Sequence, residues 1–187
     1  YEGVFRHGKE IDSFKYYTLS SGKSVLSAVK VFNEKDSLAL VTFFASNKKV
    51  ISKGKMSGKR FIGQWLFYHK NSTAKMIVEN YNDDGELKGE RRVYYKNGLI
   101  AEQAYYENGK LEGEAKWFSE RNNLLRSSIY NEDKLDGKTI YYDADGNVTS
   151  EGVYIKDQKK AIWKYYKKGK LFKEIDHTNN LVVKKYE

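Results

Sequence analysis

Residues 113–137 read Gly113-Glu-Ala-Lys-Trp-Phe118, then a polar turn, then an apolar run ending at Tyr130, then Asn131-Glu-Asp-Lys-Leu-Asp-Gly137. Two strand-length runs separated by turns describe a β-hairpin that hands on to the next. The same pattern recurs. A small residue, a strand residue two positions on and an aromatic five positions on mark copies at Gly63 (Trp65, Tyr68), Gly89 (Arg91, Tyr94), Gly113 (Ala115, Phe118), Gly137 (Thr139, Tyr142) and Ala161 (Trp163, Tyr166), with spacings of 26, 24, 24 and 24. Weaker copies start at Ala39 and, with an insertion after it, at Asp12.

A repeat of this kind cannot bury its apolar face alone, so neighbouring units must stack and the end units must cap the array. Seven units of two strands predict about fourteen strands, and no apolar spacing of three and four marks a helix. The chain has no Pro, so its turns must use Gly, Asn and Asp, as in Asn97-Gly98, Asn108-Gly109 and Asp145-Gly146. Asn179-Asn180 reads as a last hairpin turn. In residues 137–142, Gly137, Thr139 and Tyr141 share one face and Lys138, Ile140 and Tyr142 the other. The recurring Gly is expected to let a neighbouring ring or backbone come close. One repeat domain over 1–187 follows, with weak repeats in 1–62, clear ones in 63–172 and a capping hairpin in 173–187.

Composition narrows the chemistry. The chain of 187 residues has 16 Tyr and no Cys, which removes disulfides, thiol catalysis and Cys-based zinc sites. No run approaches the length of a membrane-spanning helix. The net charge of +9 is uneven: residues 46–70 carry +7, residues 156–187 carry +6 and residues 79–155 carry −6. Lys outnumbers Arg in the basic zones, and base reading favours Arg, so specific nucleic-acid recognition is disfavoured. The start at Tyr1 gives a mild preference for an exported chain at the cell envelope, with the cytoplasm as the alternative.

The segments Gly89…Tyr94-Tyr95-Lys-Asn-Gly98, Glu102…Tyr105-Tyr106-Glu-Asn-Gly-Lys-Leu-Glu-Gly113 and Gly137…Tyr141-Tyr142-Asp-Ala-Asp-Gly146 closely resemble the variant class of MORN repeats, common in bacterial proteins, some of them labelled YwqK-family antitoxins. The resemblance is strong over 79–172 and fades before residue 60. It implies an all-β, elongated, single-layer antiparallel sheet of tandem hairpins. It also implies a scaffold that contacts proteins, dimerises or attaches to membrane lipid, with an antitoxin role as a further option.

The candidate sites follow from these features. Trp65, Tyr94, Trp117, Tyr141, Trp163 and Tyr165 stand at repeat phase, as core between hairpins or as a ladder of rings for a partner. Lys48, Lys49, Lys53, Lys55, Lys59, Arg60, Lys159, Lys160, Lys167 and Lys168 are the candidate contacts for an anionic surface. His7, His69 and His177 sit at three different repeat phases and form no catalytic or metal-ligand spacing. Asp83-Asp84 and Asp143/Asp145 lie in turns that suit Asp. Asp143-Ala-Asp145-Gly-Asn147 copies the front of a calcium loop but lacks its later bidentate acid. Gly54–Lys59 resembles a phosphate loop with the wrong spacing and reads as a loop between strands. The expectation is a non-enzymatic scaffold with no cofactor or metal and a protein partner. Peripheral binding to anionic lipid, antitoxin-like binding of a toxin and a homodimer stand as alternatives.

Overall fold

A computed structural model describes residues 1–33 and 38–186. The chain divides into two compact units, Tyr1–Gly89 and Glu90–Glu187, where the sequence reading takes 1–187 as one repeat domain. The first holds β1 (Glu2–Arg6), β2 (Lys9–Ser20), β3 (Lys23–Phe32), β4 (Leu38–Phe44), β5 (Val50–Ser57), β6 (Arg60–Tyr68) and β7 (Lys75–Tyr81). The second holds β8 (Gly89–Tyr94), all but its first residue, β9 (Ile100–Glu107), β10 (Lys110–Phe118), β11 (Leu124–Asn131), β12 (Lys134–Tyr142), β13 (Val148–Ile155), β14 (Gln158–Lys167), β15 (Lys170–Asp176) and β16 (Leu181–Lys185). In the first unit every strand pairs antiparallel with the next, from β1 to β7. The same holds from β9 to β16 in the second. The fold is all-β, built from consecutive hairpins, as the repeat predicts. The described residues contain sixteen strands, two more than seven units supply, because β1 and β16 flank the array. The last hairpin turns at residues 177–180, where Asn180 is left-handed.

Three local devices build each unit. The tight hairpins place two successive residues at positive φ, as in Asn108-Gly109 (49°, 78°). That geometry matches the twist of the flanking strands. Glu132-Asp133 and Lys156-Asp157 take the same shape without glycine. There the Asp side chain helps: Asp133 and Asp157 accept the backbone N–H of Leu111 and Leu135, each at 2.8 Å, and so tie each turn to the preceding unit.

The second device is a bulge, and it corrects the reading of the repeat glycine at Gly63 and Gly113, while at Gly137 an added Cβ would come 2.8 Å from Ile129 Cβ and the glycine does make room for a neighbour. Across β5 and β6, Lys53 faces Leu66 but Lys55 faces Ile62, so Gly54 alone opposes residues 63–65. The extra residues are absorbed by a left-handed residue at the start of the unit. Gly63 has φ of 61° and Gly113 has 69°, and Asp12 and Ala161 take 56° and 55° at the same phase. A Cβ built on Gly63 or Gly113 would meet nothing within 4 Å. These glycines therefore serve the backbone conformation and do not clear space for a neighbour.

The close approach happens on the opposite strand. Gly3, Gly54 and Gly152 lie flat beneath Phe14, Trp65 and Trp163, where a Cβ would come within 2.3, 2.4 and 2.3 Å of the ring. Gly54 thus belongs to β5, and the expectation of a loop over Gly54–Lys59 holds only for the Gly58-Lys59 turn.

The third device is a column of core residues two positions into most repeats, broken at Arg91, which is only half-buried two positions after left-handed Gly89. Phe14, Trp65, Ala115, Thr139 and Trp163 are all fully buried, and Val41 nearly so. Burial to this degree in one sheet layer needs a roof of neighbouring side chains. Phe61 stacks on Trp65 at 3.6 Å, while Phe43 and Phe67 flank it at 6.1 Å. The Trp65 and Trp163 indole N–H groups donate to the carbonyls of Lys55 and Val153 at 2.9 and 3.1 Å. Burying one such ring is worth on the order of 4–6 kcal/mol as an upper figure.

Candidate interaction face

The next inward residue, four positions after the left-handed start, is less covered and forms a cross-strand row. In the second unit this row runs Glu102, Trp117, Arg126, Tyr141, Ser150, Tyr165, Lys173, each directly opposite the next. In the first unit the equivalent row is Tyr16, Ala28, Phe43, Ser52, Phe67, Ile77. One row is charged and aromatic and the other mainly apolar, although both come from the same repeat phase.

The second unit's row is densely connected. Arg91 donates to Glu102 at 2.6 Å, and the Trp117 indole N–H donates to the same carboxylate at 3.2 Å. The Arg126 guanidinium lies 3.7 Å from the Trp117 ring and donates to the Tyr130 hydroxyl at 2.5 Å. The hydroxyls of Tyr141 and Tyr154 are 3.4 Å apart. Tyr165 meets His177 Nε2 at 2.8 Å. Lys159 holds its ammonium 4.0 Å from the Trp163 ring, and Lys173 sits 4.9 Å from the Tyr165 ring.

Burial pushes the Tyr130, Tyr154 and Tyr165 phenols up from a value that already keeps them protonated at neutral pH, where they can donate hydrogen bonds. Desolvation pulls Lys159 down. His177 is lowered first by desolvation and then by the Lys159 charge.

The six expected aromatics separate into three classes. Trp65 and Trp163 are core, with no accessible surface to offer a partner. Their rings are fully occupied by the glycine below and the neighbours around them. Trp117, Tyr141 and Tyr165 stand together on the half-buried row. Tyr94 falls one position further along the phase, on the other face of its strand. Tyr165 and Tyr166 illustrate the alternation: Tyr165 meets His177, while Tyr166 donates to Glu151 at 2.8 Å. Sequence reasoning does not offer Glu102 or Arg126 as site residues, and it reads His177 only as a histidine without catalytic or metal-ligand spacing. At the 24-residue period Glu102 and Arg126 are charged members of a column that holds Ser52 and Ser150 elsewhere, and that contrast is the available signal.

The basic residues do not converge. Lys48 and Lys49 lie in the β4–β5 turn, Lys53 and Lys55 on β5, Lys59 in the β5–β6 turn and Arg60 at the start of β6, 3.7 Å from Asp84. In the second unit Lys159 faces Trp163, Lys160 opposes Val153, and Lys167 and Lys168 are exposed at a turn. Asp143 serves its own turn by accepting the N–H groups of Asn147 and Asp145 at 2.9 and 3.0 Å, and the Asn147 N–H is the main cause of its lowered pKa. Among the described residues no three His, Cys, Asp or Glu side chains gather as a metal site, and no helix is long and apolar enough to cross a membrane.

Hairpins in chain order, a recurrent left-handed bulge and a buried column define a tandem β-hairpin repeat protein. The family model for the MORN repeat variant matches residues 87–108, 100–115 and 135–156, so variant MORN repeats stand at these three places in the chain. Such repeats are modules for protein or membrane interaction and belong to a scaffold type. No curated protein matches the chain. Among solved structures, a chain in the crystal structure of a GtfA/B complex is similar at 15% identity, with a TM-score of 0.34, over 55% of this chain and 19% of that one. That likeness carries no argument about function.

Proposed function

We propose that this chain is a non-enzymatic scaffold that binds a protein partner through the inner face of its second unit. The observation that carries the reading is the Trp117–Arg126–Tyr141–Tyr165 row. Trp, Tyr and Arg are the residues that dominate binding energy at protein interfaces, and they do so when held rigid before the partner arrives. Here each ring is held by a hydrogen bond or a stacked cation, so little side-chain freedom remains to be lost. The +6 carried by residues 156–187, which include Tyr165 and Lys173, adds attraction to an acidic partner during encounter.

A second reading is attachment to anionic lipid. It is supported by exposed Leu40 directly opposite Lys55 on β4 and β5, which pairs an apolar contact with a cation. It ranks lower because the other basic residues are scattered over turns and faces. An antitoxin would be one case of the first reading.

The test is affinity capture from a cell extract, followed by binding of the purified captured protein to variants of the chain. The first reading expects loss on Trp117→Ala and Tyr165→Ala, with the fold intact by circular dichroism, and no loss on Lys53→Gln/Lys55→Gln. The lipid reading expects salt-sensitive co-sedimentation with anionic vesicles that those two lysine changes abolish.

A further inference from the structure

Among the described residues, Arg126 is a half-buried cation without a carboxylate. Its contacts are the Trp117 ring at 3.7 Å and the Tyr130 hydroxyl at 2.5 Å. Its Nε, shut off from solvent, has no hydrogen-bond partner among those residues. A buried guanidinium N–H left without an acceptor is costly, and the half-buried charge that carries it has no carboxylate beside it. The neighbouring position shows how the same face meets this need. On the other side of Trp117, Glu102 takes Arg91 at 2.6 Å and the indole N–H at 3.2 Å. Directly opposite Arg126 on β12, where a second carboxylate would complete the pattern, the chain places Tyr141. The phenols beside it, Tyr130 and Tyr154, are protonated at neutral pH, burial raises them further, and they can donate to an anion.

We infer that Arg126 receives the carboxylate of an acidic side chain from the protein partner, held against the Trp117 ring and within reach of the tyrosine hydroxyls. The inference rests on the reading of this face as a partner-binding surface, and it names the group that the surface selects. A planar guanidinium takes a carboxylate through two parallel N–H bonds, and the Trp117 ring fixes its plane.

The probe is hexaglutamate peptide, titrated at about 0.1 M salt, where distant surface charges are largely screened. The readout is the emission of Trp117, taken as the difference between the wild type and Trp117→Phe. Wild type is expected to give a saturable change. Arg126→Gln is expected to weaken it by about tenfold or more, as loss of a charged hydrogen bond implies. Arg126→Lys restores the charge but not the fork and falls between them. Lys53→Gln/Lys55→Gln stays within about twofold, since screened charges on β5 contribute little at this salt. A second variant, Tyr141→Glu, supplies the carboxylate internally and is expected to abolish the titration, which keeps the test decisive if Arg126→Gln does not fold. The inference is overturned if Arg126→Gln or Tyr141→Glu binds as the wild type does. It is also overturned if the β5 lysine changes weaken binding as much, or if inorganic phosphate moves the Trp117 signal and the peptide does not. If a captured partner loses affinity on Trp117→Ala but keeps it on Arg126→Gln, the interaction face stands and the carboxylate assignment fails.

Discussion

Gly54→Ala tests the packing rule that organises the first unit. Alanine favours an ordinary strand over glycine, and it stabilises by about 0.4–1 kcal/mol where it fits. At this site it does not fit. The added Cβ would lie 2.4 Å from Trp65 Cδ2, 2.5 Å from Cε2 and 2.6 Å from Cγ. Carbon atoms need about 3.5–4.0 Å, so the indole must retreat by about 1 Å or more. Phe61 stacked at 3.6 Å and the hydrogen bond to the Lys55 carbonyl at 2.9 Å oppose that movement. Overpacking costs about 1–3 kcal/mol, and expulsion of the ring would cost about 3–5 kcal/mol. The net expectation is a loss of about 2–3 kcal/mol after the alanine gain is subtracted. For a unit of this size that lowers the melting temperature by roughly 10–20 °C. The assay is a thermal melt followed by circular dichroism and tryptophan emission, run as a cycle with Trp65→Leu. In the Trp65→Leu background the cost of Gly54→Ala is expected to vanish. Stability at or above wild type, or an unchanged cost in that background, would refute the reasoning.

Other outcomes follow from the same geometry. Trp163→Ala removes a fully buried ring and is expected to cost about 3–5 kcal/mol in urea denaturation. Gly113→Ala and Ala161→Gly are expected to move stability in opposite directions by about 1 kcal/mol, since φ is 69° and 55° at these matched positions; equal signs in calorimetry would contradict the left-handed bulge. His177 has a lowered folded pKa, so the unfolded chain binds its proton first. Its contribution to stability is present above about pH 6.5 and fades as pH falls through the folded value. His177→Gln is therefore expected to flatten the loss of melting temperature between about pH 7.5 and 5.5, and an unchanged slope would show that His177 does not carry it.

The repeat made the hairpins legible because strand and turn chemistry are local: Asn108-Gly109 announces its turn, and the 24-residue period announces the stacking. The roles within the period were not legible in the same way. Trp65, Trp117 and Trp163 look equivalent in the sequence, yet Trp117 lies four positions after its unit's start and the others two. A two-residue offset keeps the same strand face, so alternation alone cannot tell a buried ring from a half-buried one. What separates them is the glycine on the facing strand. Gly54 and Gly152 lie beneath Trp65 and Trp163, while Trp117 faces Glu102 and Arg126. That pairing depends on a bulge whose register the sequence does not print. The placement of the basic residues was illegible for a related reason. Neighbours in sequence along a strand go to opposite faces, as Lys159 and Lys160 do, so a run of charge does not become a patch.

The proposed protein-binding surface is the Trp117–Tyr165 row of the second unit. The most direct measurement is calorimetric titration of the purified captured partner against wild type, Trp117→Ala and Lys53→Gln/Lys55→Gln. Trp117→Ala is expected to weaken binding by about tenfold or more, which is at least about 1.4 kcal/mol, and the lysine changes are expected to shift it by less than about threefold. Full affinity in Trp117→Ala, with the loss in the lysine variant instead, would contradict it.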